Sequence, residues 1–220
     1  MNILQKSSRC YVVIYIAVML LMICTGCTQQ NPLTDRDADI YQRIHKKFSR
    51  MTAYTARVEV TVYSNKTENT YLIKELMKDS QGAQLMIEKP ESVQGTITRY
   101  HNGQVTMMNA GQESAVSVPA AEAYHDIFID QFFALYYQSE KTAINTSSAG
   151  TEGANSLLLE TIAVPDASHR HRLTLLIDAT RLEPQVLTVY DVGGNIQLIA
   201  KFIEFQYNPS IDDSLFVSLE

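Results

Sequence analysis

The spacing of apolar residues changes twice along this chain. Between Asp35 and Met51, the residues Ile40, Ile44, Phe48 and Met51 recur at helical spacing. Asp35, Asp37 and Asp39 stand at the front of that stretch and Lys46, Lys47 and Arg50 at its back. Charges so placed suit the helix dipole, and the stripe predicts one amphipathic helix lying on a core. From Thr55 to Tyr63 the period drops to two: Ala56, Val58, Val60 and Val62 alternate with Arg57, Glu59, Thr61 and Tyr63. That alternation predicts a strand with one buried face. Further strands are predicted over Thr70–Lys78, Ala83–Lys89, Gly95–His101, Gln104–Asn109 and Ser114–Val118. Asn102-Gly103 tolerates positive φ and predicts a tight hairpin between two of them.

The period then returns to that of a helix. Ala120–Glu140 carries Tyr124, Ile127, Phe128, Ile129, Phe132, Phe133, Leu135, Tyr136 and Tyr137, which cover more of the circumference than a single wet-sided stripe would. Such a segment is a core helix capping a sheet, a lid over an apolar cavity, or a docking surface for a partner. Tyr124, Phe128, Phe132, Phe133 and Tyr136 are the residues that would line that cavity or surface. Residues 142–156 read as a Ser-, Thr- and Gly-rich loop with room for a short edge strand. Strands resume over Leu157–Ile162, Arg172–Asp178, Gln185–Asp191 and Ile196–Tyr207, the last pair flanking a Val192–Asn195 glycine turn. In the longest strand Leu198, Ala200 and Phe202 share one face, and Ile199, Ile203, Phe205 and Tyr207 fall on the other. Apolar residues on both faces predict a strand covered on both sides for part of its length. The elements together predict an α+β, mostly β domain: a large curved antiparallel sheet with two helices against its concave face.

Ahead of this domain lies an uncharged apolar run, Tyr11–Cys27, preceded by Lys6 and Arg9 and ending Thr25-Gly26-Cys27. Basic residues, an apolar stretch and small residues before a cysteine are the layout of an export signal. The ending resembles a bacterial lipoprotein signal, which implies cleavage after Gly26, lipidation of Cys27 and a mature chain moored to the extracytoplasmic face of a membrane. An uncleaved anchor is the other reading, because the run is near the lower length for spanning a bilayer. Residues 27–34 then form a polar spacer and 35–220 the domain.

Composition narrows the chemistry. Without Lys6 and Arg9 the chain keeps 16 basic residues against 24 acidic ones, a net charge of −8. An acidic surface repels phosphate backbones and argues against nucleic acid as a partner. All three cysteines, Cys10, Cys24 and Cys27, lie at or before the lipidation point, so the domain has no disulfide, no thiolate nucleophile and no cysteine-ligated zinc. There is no nucleophile elbow, phosphate-cradling glycine loop or H-E-x-x-H helix. His169 and His171 alternate with Arg170 and Arg172, whose charge opposes a metal. Asp212-Asp213 reads as turn chemistry. No catalytic residue, metal or cofactor is implied, and the chain reads as a binding protein.

Two stretches carry a resemblance. Leu182, Pro184, Leu187, Tyr190, Asp191 and Gly194, followed by Phe205, Tyr207, Asn208, Ile211, Asp212, Leu215 and Phe216, resemble the closing strand pair of the LolA-like lipoprotein-carrier superfamily. Ile40 to Tyr71 resembles the opening of clostridial germination lipoproteins of the GerS type. The superfamily resemblance implies an open half-barrel wrapped around an apolar hollow that, in carriers, receives acyl chains. The germination resemblance implies a tethered accessory protein that supports a cell-wall amidase by contact. Two functional expectations follow: binding of a wall-modifying enzyme or a second copy of the chain, or carriage of a lipid.

Overall fold

A computed structural model describes residues 35–64, 66–79, 81–101, 103–110, 116–119, 128–139, 142–145, 156–162 and 170–216. The chain divides into two compact units, Met1–Pro32 and Leu33–Glu220, and the described residues all belong to the second. The apolar run with Gly26 and Cys27, the spacer, Asn102, residues 120–127 with Tyr124, and His169 lie outside the described residues.

The first helix, α1 (Asp35–Phe48), buries Ile40, Ile44 and Phe48, one stripe four residues apart, and keeps most of its charges in water. The strands are β1 (Ala53–Tyr63), β2 (Glu68–Lys78), β3 (Gly82–Lys89), β4 (Ile97–His101), β5 (Gln104–Met108) and β6 (Val116–Pro119). A second helix, α2 (Ile129–Gln138), precedes β7 (Ala143–Asn145), β8 (Ser156–Ile162), β9 (Arg172–Asp178), β10 (Glu183–Tyr190) and β11 (Ile196–Tyr207). Every observed strand pair is antiparallel, in the order β6-β5-β4-β3-β2-β1-β11-β10-β9-β8-β7. The order breaks once, where β1 pairs with β11 and brings the two halves of the chain together. Among the described residues β6 and β7 stand at opposite ends without pairing, so the sheet is not closed.

The turns follow their residues. Gly103, at φ +74°, sits between the paired residues His101 and Gln104. In the β10–β11 turn the Asp191 carboxylate accepts the Asn195 amide at 2.8 Å, and Gly194 takes φ +82°. Asp191 and Gly194 of the superfamily-like motif are therefore turn builders.

The sheet is strongly bent, and simple lengths require it. Phe128, one residue before α2, meets Tyr100 on β4 edge to face at 5.0 Å, while α2 itself packs on β8. Those strands are seven places apart, about 34 Å in a flat sheet, whereas ten helical residues extend only about 15 Å. Curvature brings both within reach. One continuous core results, with Tyr54, Ala56, Val58 and Val60 of β1 and alternate residues of β2, β8, β9 and β10 facing α1 and α2. On the opposite face the C-terminal segment lays Ile211 and Phe216 over Ala53 and Leu76. The Lys78 ammonium holds it there, donating to the Ile211 carbonyl at 3.1 Å and pairing with Asp213.

One face assignment read from the sequence is corrected. Arg57 pairs with Glu204 but Val58 pairs with Phe202, so Ile203 is an extra residue in β11. A bulge of this kind shifts the alternation by one. Phe205 and Tyr207 thereby join Phe202 on the core side, and Ile203 is left 55% exposed. β11 is covered on one face here, not two.

Candidate functional site

The expected site is the aromatic helix, and its described residues are core. Phe128, Phe132, Phe133 and Tyr136 are buried, Phe132 with no exposed surface. Phe133 stacks on Phe48 of α1 at 4.4 Å, Phe132 stacks on Tyr136 at 5.9 Å, and Phe132 and Phe133 meet edge to face at 5.5 Å. These rings pack on one another and on α1 inside the bent sheet, which leaves those four residues almost no exposed surface. The described helix begins at Ile129, later than the apolar pattern predicts. Phe128 is extended, at φ −74° and ψ 131°, because its ring turns toward Tyr100 on β4 instead of following the helix.

Beneath the first turn of α2 lies a group the apolar pattern passes over. Glu75 is on the core face of β2, between Ile73 and Met77, and has no exposed surface. The Tyr54 hydroxyl donates to one Glu75 carboxyl oxygen at 3.3 Å and accepts the Ile129 amide at 3.2 Å. The other Glu75 oxygen, Oε1, has no hydrogen-bond partner. Burial pushes the carboxyl up to about 8; the Tyr54 hydrogen bond opposes that shift and nearby Asp130 adds to it. Glu75 is therefore protonated at neutral pH. Its signal in the sequence was an acid at an inward position of an alternating strand, Ile73-x-Glu75-x-Met77.

A cavity of about 400 Å³ opens beside this group at the rim of the sheet. Met51, Met77, Ala83, Tyr100 and Phe128 give it an apolar side, and Asp79, Gln81, His101, Gln104, Asp130 and Gln131 a polar one. Of the expected site residues that are described, only Phe128 reaches it.

Of the other residues weighed, His171 has a buried Nδ1 without a hydrogen-bond partner, whereas Arg172 and Asp212 serve the fold. Arg172 lies over the Tyr190 ring at 4.0 Å and pairs with Glu160 at 3.1 Å, which ties it to the sheet surface. Asp212 accepts the Ser214 amide at 2.9 Å, as a turn residue does. Among the described residues no group of three or more His, Cys, Asp or Glu side chains could hold a metal.

Comparison with known proteins adds the following. The family description "Sporulation protein YdcC-like" matches residues 7–216. No curated protein sequence matches the chain. Among solved structures it is similar to an uncharacterized conserved protein from Thermus thermophilus, with 15% identity, coverage of 81% of this chain and 91% of that one, and a TM-score of 0.52. That likeness is one of fold. The chain is also similar to a chain in the structure of the CwlD amidase from Clostridioides difficile in complex with the GerS lipoprotein, at 23% identity, 82% and 100% coverage and a TM-score of 0.49. A LolA superfamily protein, NE2245 from Nitrosomonas europaea, aligns at 10% identity, 80% and 97% coverage and a TM-score of 0.45.

Proposed function

The chain belongs to the YdcC-like sporulation proteins, and on that premise we propose that it is a membrane-tethered, non-catalytic binding protein that assists a cell-wall amidase during spore formation or germination. The tether is Cys27, lipidated after cleavage behind Gly26, and the domain stands on the extracytoplasmic face. Support for the tether is the apolar run and its Thr25-Gly26-Cys27 ending. Support for the amidase is the resemblance of residues 40–71 to germination lipoproteins.

The observation that carries a binding role is the open end of the sheet. β6 has β5 on one side and, among the described residues, no strand on the other. Val116 on β6 is 66% exposed and Met107 beside it on β5 is 48% exposed. An unpaired edge with apolar side chains accepts an extended segment of another protein. The described aromatic residues of α2, by contrast, are mostly buried.

The test is co-purification of the full chain with the amidase from sporulating cells, followed by a titration of the two purified proteins. Val116→Lys should weaken the complex about tenfold or more, while Val192→Lys, an exposed turn residue away from the edge, should not. Recovery of no amidase sinks the partner assignment, and equal affinity of the two variants sinks the β6 edge.

A second reading, carriage of a lipid, has the rim cavity in its favour, since Met51, Met77, Ala83, Tyr100 and Phe128 line it. Mass spectrometry of the gently purified protein decides it: lipid at about one equivalent supports carriage, and its absence removes it.

A further inference from the structure

One polar contact between the second helix and the sheet runs through a fully buried acid. The Tyr54 hydroxyl bridges β2 and α2, donating to Glu75 and accepting from Ile129. Among the described residues the titratable groups that face Glu75 are Tyr54 from β1 and Asp130 from α2, neither of which supplies positive charge. Across the sheet its register partners are Ala56 on β1 and Leu85 on β3, both apolar. A carboxylate at this position would have one oxygen without a partner and a like charge nearby, in a site closed to water.

Relief is close at hand. The cavity at the rim is lined by Asp130 and Phe128 of the same helical entry and by Met77, two residues along β2 from Glu75. Moving the first turn of α2 outward would hydrate Glu75 and join the cavity to the core. We propose that this turn is a proton-controlled latch: with Glu75 protonated, Phe128 and Ile129 are held on the sheet, and when Glu75 ionises they are released and the core opens at the rim. The latch belongs to the fold and stands independently of the amidase assignment. It supplies a way for an apolar ligand to reach the buried face of the sheet.

Sign and size follow from proton linkage. In the released turn Glu75 recovers an ordinary carboxyl affinity near 4.5, whereas in the latched one it holds its proton to about 8. Raising the pH through that interval favours release about tenfold per unit, and the effect levels off above about 8. The experiment is amide hydrogen exchange of the full chain in detergent between pH 6 and 9, corrected for the intrinsic rate. The Ile129 and Phe132 amides should show an opening constant that rises about 100-fold over that range, without dependence on low urea. Leu175, deep in β9, should exchange through urea-sensitive global opening.

Glu75→Gln should abolish the pH dependence at Ile129 and Phe132. Asp130→Asn, which removes the like charge, should move the plateau to lower pH, so two variants read the same device. The proposal is overturned if the wild-type opening constant is flat in pH, if Ile129 and Phe132 exchange only together with Leu175, or if a folded Glu75→Gln protein keeps the wild-type profile. Should Glu75→Gln fail to fold, the wild-type slope and the Asp130→Asn shift decide alone, and the absence of either overturns it.

Discussion

Asn208 ties the helix to the sheet, and its replacement separates two physical contributions. It follows β11 at φ 47°, a left-handed conformation that asparagine tolerates and most residues do not. Its side-chain oxygen accepts the Thr52 and Ala53 amides at 2.9 and 3.1 Å, and its amide nitrogen donates to the Arg50 carbonyl at 3.2 Å. Those three bonds hold the segment between α1 and β1. Alanine would lose all of them and strain the backbone. The partly buried Ala53 amide left unpaired costs about 1–2 kcal/mol, and the left-handed φ adds about 1. Asn208→Ala should therefore destabilise by about 2–3 kcal/mol. Glycine removes the strain but not the lost bonds, so Asn208→Gly should cost about 1 kcal/mol less. Aspartate keeps the acceptor and loses only the exposed bond to Arg50, so Asn208→Asp should cost under about 1 kcal/mol. In a domain of this size each kcal/mol moves the Tm by about 2–4 °C, within reach of thermal unfolding followed by circular dichroism. The reasoning fails if glycine is as damaging as alanine, since φ then contributes nothing, or if aspartate is, since the acceptor then has no role.

Three further outcomes are expected. Between about pH 5 and pH 8 the unfolded chain gives up the Glu75 proton while the folded one keeps it, so stability should fall as pH rises, by ~1.4 kcal/mol per unit, and level off above about 8. Urea unfolding across that range should show a shallower slope in Glu75→Gln, and parallel profiles would remove Glu75 from the account. Ile203→Ala should change stability by less than about 0.5 kcal/mol and Phe205→Ala by about 2–4, because the bulge turns the first outward and the second into the core; equal costs would contradict the register. Cys27→Ser should shift the protein from the membrane fraction to the soluble one, and retention of both forms in the membrane would favour an uncleaved anchor.

Much of the architecture was legible because local pattern and burial agree. Ile40, Ile44 and Phe48 read as a stripe and are one, since a helix repeats every 3.6 residues whatever it packs against. Val58 and Val60 alternate with Arg57 and Glu59 and point inward, since a strand repeats every two. Turn residues were equally readable, with Gly103 and Gly194 in the roles their chemistry suits. Strict alternation puts Phe205 on the wrong face because a bulge depends on pairing with β1, not on β11 alone. The later start of the second helix has a similar cause, for Phe128 turns toward Tyr100 on β4, a strand nearly thirty residues away in sequence.

The candidate site divides the same way. Its aromatic residues announced an unusual helix, yet whether they enclose a hollow or fill one is a matter of volume, and volume depends on how far the sheet bends. Glu75 shows the limit most plainly: β2 alone places it inward, but burial beneath residues brought from elsewhere in the chain, with Asp130 adding to the shift and the Tyr54 hydrogen bond opposing it, decides that it keeps its proton. Periodicity and turn chemistry are properties of neighbours along the chain, so the elements, their inward faces and the absence of thiol chemistry in the domain were set by sequence alone. Pairing, bend and the dielectric around a buried acid arise from residues far apart along it, and those the tertiary structure decided.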